Sequence, residues 1–158
     1  MRHAPVSSSI PKKILLPTDF SPSSYAALEM ATDLARHFQA ELCLLHVIPM
    51  LPAVTGAEFF SETEFLQKTR DHADRRLAAF IDALVSEGLK ASSFVETGND
   101  AAGNIMIVIE REHIDMIVVS THGMSGWHPM VFGSIAEKFV KLMQCPLLLL
   151  RSVKLAAA

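Results

Sequence analysis

Asp115-Met116-Ile117-Val118-Val119-Ser120, followed by Thr121 to Phe132 and then Gly133-Ser134, is the stretch on which the fold turns. Met116 to Val119 are four apolar residues in a row with no polar alternation. A strand of that kind is covered on both faces, which is the mark of a parallel sheet flanked by helices. The glycine-bearing loop after it leads into a helix that Gly133-Ser134 opens and that runs through Met143. Strand, loop and helix make one β–α unit, and the rest of the chain repeats it.

Downstream, Pro146 ends the helical region and Leu147 to Val153 reads as a fifth strand. Upstream, Ile105, Val108, Ile109 and Glu112 place a third helix, preceded by a third strand over Ala91 to Glu96 and a turn at Gly98-Asn99-Asp100. A long helix from Ser61 carries the stripe Phe65, Ala73, Leu77, Phe80, Ile81, Leu84 and Val85, and Gly88 is its stop. The second strand, Leu42 to Ile48, ends at Pro49 and Pro52. Ser21-Pro22 supplies an N-cap with proline at the first helical position. After it Ala27, Leu28, Ala31, Leu34, Ala35 and Phe38 form an amphipathic stripe, and Ile14-Leu15-Leu16, ended by Pro17, is the first strand. The pattern predicts one doubly wound, Rossmann-like α/β domain over 12–153, its ligand crevice at the C-terminal ends of the strands. Residues 1–11 read as a flexible N-terminal arm and 154–158 as a vector-derived tail.

Composition narrows the function. The chain has 158 residues, half of them hydrophobic, and 14 basic against 17 acidic side chains, for a net charge of −3. Mean hydropathy is +0.30 and the pI is near 6.1. These values argue against disorder, and the absence of a basic excess argues against a backbone-tracking nucleic-acid binder. The apolar runs are far shorter than the ~20 residues of a membrane span, and no apolar leader is evident near Met1. Two cysteines, Cys43 and Cys145, make neither a CxxC pair nor a disulfide framework. A cytoplasmic protein is expected.

Chemistry can gather in three loops that follow strands one, two and four. They are Pro17-Thr18-Asp19-Phe20-Ser21, His46-Val47-Ile48-Pro49 and Ser120 to Ser134. In the third, Gly123, Gly126 and Gly133 permit close backbone approach, and a helix start at Gly133-Ser134 favours an anion such as phosphate. Ordinary loop glycines with a helix cap account for the same spacing equally well. No Gly-x-Gly-x-x-Gly follows a strand, and Gly133-Ser134 lacks the lysine of a P-loop, so neither a dehydrogenase nor a P-loop hydrolase fits. His122 and His128 stand six apart without a third ligand and do not make a metal site. His46 reads as a satisfied, partly buried histidine, and Arg70-Asp71-His72-Ala73-Asp74-Arg75-Arg76 as a solvated helix face. The two cysteines fall on strands two and five. No Ser-His-Asp or Cys-His constellation is arguable, so an enzyme is not expected.

Taken together, several segments resemble the universal stress protein family. They are Lys12-Lys13-Ile14-Leu15-Leu16-Pro17-Thr18-Asp19-Phe20-Ser21, Leu45-His46-Val47, Asp115 to Val119, and Cys145-Pro146 through Arg151. Nucleotide-binding members carry Gly-x-x-Gly, nine residues, then Gly-Ser/Thr; the matching register here is Ser120-Thr121-His122-Gly123, Met124 to Phe132, then Gly133-Ser134. Ser120 replaces the first glycine. Pro129 stands where members often have a basic residue, and Trp127 and His128 make the loop bulkier.

The resemblance implies a five-stranded parallel sheet in the order 3-2-1-4-5, which separates the two cysteines. It implies an adenine-nucleotide site built from Pro17, Thr18, Asp19, Val47, Ser120, His122, Gly123, Gly126, Gly133 and Ser134. In that site Asp19 would stand beside the adenosine, its ribose or its phosphate, with capping of nearby N–H groups as the alternative. Val47 would read the adenine through its backbone. The glycines and Ser134 would line the phosphates of ATP or another adenine nucleotide, with Mg²⁺ held mainly by those phosphates. It implies a homodimer through Leu147, Leu148, Leu149, Leu150 and Arg151. The expected function is a nucleotide-binding stress sensor or regulator; the alternative is a dimeric interaction scaffold whose nucleotide site has decayed.

Overall fold

Each element follows from a local signal. Apolar runs form β1 (Lys13–Pro17), β2 (Glu41–Ile48), β4 (Met116–Ser120) and β5 (Leu147–Leu150), and the more polar Ala-Ser-Ser-Phe-Val-Glu-Thr segment forms β3 (Ala91–Thr97). Between them lie α1 (Pro22–Phe38), α2 (Glu62–Ser86), α3 (Ala101–Glu112) and α4 (Ser134–Leu142). This is a computed structural model, and it describes residues 10–50, 62–120 and 134–151.

Ser21 caps α1, its side chain accepting from the Ser24 N–H, with Pro22 at the first position, where no backbone donor is needed. Asp100 caps α3 in the same way, accepting from the Gly103 N–H. Past the end of α2, Gly88 takes the left-handed conformation (φ +86°) that closes a helix.

The strands form one sheet in the order β3-β2-β1-β4-β5. Every pairing is parallel, with Leu15 beside both Cys43 and Ile117, and Ser120 beside Leu150. Side chains alternate across it and feed two cores. Ile14, Leu16, Leu42 and Leu44 pack with Ala27, Ala31 and Ala35 of α1 and with Ala73, Leu77 and Leu84 of α2. On the other face Leu15, Cys43, Leu45, Ile117 and Val119 pack with Ile105 and Val108 of α3 and Phe139 of α4. The two-sided covering expected for Met116 to Val119 is the one observed. Among the described residues no helix is long and apolar enough to cross a membrane.

Four expectations need correction. Phe65 and Val85 belong to the periodic stripe of α2 yet are 47% and 52% exposed. A helix of 25 residues is ~37 Å long, longer than the seven- and eight-residue strands beneath it, so its two ends run past the sheet. The fifth strand stops at Leu150 rather than Val153, because β4 ends at Ser120, which pairs with Leu150. Arg151 therefore follows β5 instead of belonging to it. Cys145 lies before β5, ahead of Pro146, whose carbonyl accepts from the Ile117 N–H at 2.9 Å. Both cysteines are free thiols.

Candidate functional site

In the sheet order, β1 and β4 are neighbours whose following helices depart in opposite directions, α1 towards β2 and α4 towards β5. In doubly wound sheets such a reversal, at the strands' C-terminal ends, is the place where ligands bind. Pro17 is the last residue of β1, with Thr18 and Asp19 directly after it; Ser120 ends β4 and Ser134 opens α4. Val47 lies near the end of β2 and packs towards the α3/α4 core. These residues come to one edge of the sheet. His122, Gly123, Gly126 and Gly133 of the expected site, with Trp127, His128 and Pro129, lie outside the described residues.

The segment after β1 is held by a chain of short polar contacts. The Thr18 N–H donates to the Leu45 carbonyl at 2.8 Å, extending the β1–β2 ladder by one step. The Phe20 N–H donates to Thr18 Oγ1 at 3.1 Å, and Thr18 Oγ1 is 2.7 Å from Ser24 Oγ. Ser24 Oγ donates to the Ser21 carbonyl at 3.1 Å, so the Thr18 hydroxyl supplies the hydrogen between the two side chains. Asp19 Oδ1 accepts from the Ser21 N–H at 2.9 Å, closing an Asx turn. The capping role weighed for Asp19 is thus present in the fold.

Phe20 is the unexpected residue here. Its φ is +61°, a conformation that costs a bulky L-residue roughly 1–2 kcal/mol. Its ring lies 4.6 Å from that of His46, and the guanidinium Cζ of Arg76 is 4.1 Å from the ring centre. Arg76 Nη2 also donates to the Tyr25 hydroxyl at 2.9 Å. His46 is half-buried, its Nδ1 2.8 Å from the Thr18 carbonyl, in line with the satisfied histidine expected. The charge run on α2 needs correcting. Asp71, His72, Asp74 and Arg75 are exposed, but Arg76 is half-buried against Phe20 and Arg70 Nη2 donates to the Val95 carbonyl at 3.0 Å. A sequence signal for Arg76 existed: it stands three residues after Ala73 and four before Phe80, at the margin of the buried stripe.

The pattern of the Universal stress protein family matches residues 11–151. Universal stress protein MJ0531 of Methanocaldococcus jannaschii is 30% identical over 154 residues, covering 90% of this chain and 84% of its own length. The solved structure of protein MJ0577 superposes with a TM-score of 0.80 at 27% identity, covering 92% of this chain and 99% of the other; MJ0577 is a universal stress protein of the same archaeon. A universal stress protein family structure from Arabidopsis thaliana, solved with AMP bound, has a TM-score of 0.64 at 19% identity over 91% of this chain and 94% of its own. That last likeness is one of fold. The chain belongs to the universal stress protein family.

Proposed function

We propose that this universal stress protein family member binds an adenine nucleotide and acts as a sensor or regulator rather than as a catalyst. The observation that supports the reading is that Pro17, Thr18 and Asp19 at the end of β1 and Ser120 at the end of β4 lie on the same edge of two neighbouring parallel strands, with the connection to α4 following Ser120. The AMP-bound structure of the same fold supports it. In this reading Asp19 and the Val47 backbone address the adenosine. Ser120, His122, Gly123, Gly126, Gly133 and Ser134 offer donors to the phosphates, with ATP as the expected ligand and Mg²⁺ carried on it. Fast hydrolysis would need a positioned water and charge stabilisation in the transition state, and the loop lacks a P-loop lysine. The same reading makes the protein cytoplasmic and pairs two copies through β5.

Calorimetric titration with ATP, ADP and AMP, with and without Mg²⁺, tests the proposal. Saturable binding by the parent, abolished in Gly133→Val with the circular dichroism of the parent, is the expected result. Equal affinity in the two proteins would remove the phosphate loop from the site, and no binding to the parent would leave the interaction scaffold as the reading.

A further inference from the structure

Three described non-glycine residues have positive φ: Phe20, Gln39 and His113. Gln39 and His113 are the C-caps of α1 and α3, where a left-handed residue closes the helix and satisfies its last carbonyls. Phe20 ends no helix. It stands just before the N-cap Ser21 and one residue after Asp19, in the segment that leaves the C-terminal end of β1. A strained backbone of this sort persists only where its surroundings hold it, and such residues cluster at binding sites.

The surroundings come from two other elements. His46, near the end of β2, presents its ring to Phe20 and binds the Thr18 carbonyl. Arg76, in the middle of α2, lays its guanidinium over the Phe20 ring and is anchored by the Tyr25 hydroxyl of α1. We propose that Arg76 is a positioning residue: through the Arg76–Phe20–His46 stack it holds the Asp19–Ser21 turn in the geometry that the crevice uses for its ligand. Arg76 touches no expected ligand group and acts through Phe20. The consequence for affinity rests on the nucleotide reading above; the consequence for the loop does not.

Two measurements on the full chain separate these. Hydrogen exchange is followed at the Phe20 and Ser21 amides, with the Leu15 amide in the sheet centre as reference, and ATP–Mg²⁺ affinity is measured by titration. Arg76→Met keeps the aliphatic stem and removes the cation. It is expected to speed exchange at Phe20 and Ser21 about fivefold, leave Leu15 unchanged, and weaken ATP by a similar factor. Arg76→Lys, which keeps a cation over the ring, recovers part of both. In a Phe20→Leu background, Arg76→Met adds nothing, because the two residues act as one unit. Unchanged exchange at Phe20 and Ser21 in Arg76→Met overturns the proposal, as does a rise shared equally by Leu15, which marks a general loss of stability. ATP affinity unaltered despite a loosened loop also overturns it. If the parent binds no adenine nucleotide, the functional reading fails, and the exchange comparison alone decides whether Arg76 holds the turn.

Discussion

His46 Nδ1 lies 2.8 Å from the carbonyl oxygen of Thr18, a contact that ties the end of β2 to the segment leaving β1. A carbonyl only accepts, so Nδ1 carries the hydrogen, and in the neutral ring Nε2 is the acceptor. His46→Leu would leave that half-buried carbonyl without its donor and is expected to cost about 1 kcal/mol, a few degrees of melting temperature. His46→Asn offers an amide N–H near the same place and should recover part of the loss. Thermal unfolding of the three proteins checks this; identical melting of the Leu and Asn variants would show that packing alone matters at this position.

Asp100 gives the stability an acid limb. Its carboxyl is held below the usual carboxylate range, first by the hydrogen bond from the Gly103 N–H and then by Lys138 of α4, whose Nζ is 3.1 Å away. A depressed folded pKa contributes stability above the unfolded value, about 3.9, and that contribution is lost as pH falls through the lower folded value. Asn caps a helix as well as Asp but does not titrate. Asp100→Asn should therefore melt lower than the parent by a constant interval above about pH 5, with the interval closing as the pH falls below the ordinary carboxylate range. An interval that is flat down to the acid transition would mean the carboxylate contributes no more than a neutral cap.

The inner strands are legible in the sequence because a doubly covered parallel strand leaves an apolar run, as Met116 to Val119 does; the outer strand β3, Ala-Ser-Ser-Phe-Val-Glu-Thr, is placed instead by the helix stop at Gly88 before it and the turn at Gly98 after it. The first helix was legible through Ser21-Pro22, and the end of α2 through Gly88. Phe65 and Val85 were over-read for a physical reason: helical period continues wherever the helix does, whereas burial stops where the sheet stops. Arg76 was hidden in a run of charges, since only its spacing from Ala73 and Phe80 distinguishes it from its exposed neighbours. Phe20 had no marker at all. Left-handed backbone is normally announced by Gly, Asn or Asp, and the residues that meet the Phe20 ring, His46 of β2 and Arg76 of α2, are far away in sequence. That Pro17, Asp19 and Ser120 lie along one edge is legible from topology, because the C-terminal ends of parallel strands share one edge.

The two thiols should react in a fixed order. Burial is the leading cause that pushes both Cys43 and Cys145 above the usual thiol range. Cys43 is fully buried between β1 and β3, with Ser92 Oγ 3.4 Å from its sulfur, while Cys145 is only half-buried. Iodoacetamide at about pH 8, near the reference thiol pKa, is expected to label Cys145 slowly in the native protein and Cys43 only on unfolding. Mass spectrometry of tryptic peptides reads the order. Labelling of Cys43 as fast as Cys145 would show that β2 and β3 part readily.

The final prediction concerns the two outer strands, which are unlike each other. β3 is flanked by charge: Arg70 of α2 donates to the Val95 carbonyl at 3.0 Å, and Arg111 of α3 pairs with Glu96 at 2.8 Å. Such groups blunt an edge against further pairing. β5 is Leu147-Leu148-Leu149-Leu150, each half-buried, with no charge in the strand. An apolar edge of this kind is covered or paired in a native protein, and the proposed two-fold homodimer pairs it. Light scattering of the parent should give a dimer. Leu149→Lys puts a charge in the strand while keeping the backbone donor, and should give a monomer. Leu149→Pro removes that donor and should give a monomer or an insoluble product. A dimer unchanged in both variants would put the interface on another face of the molecule.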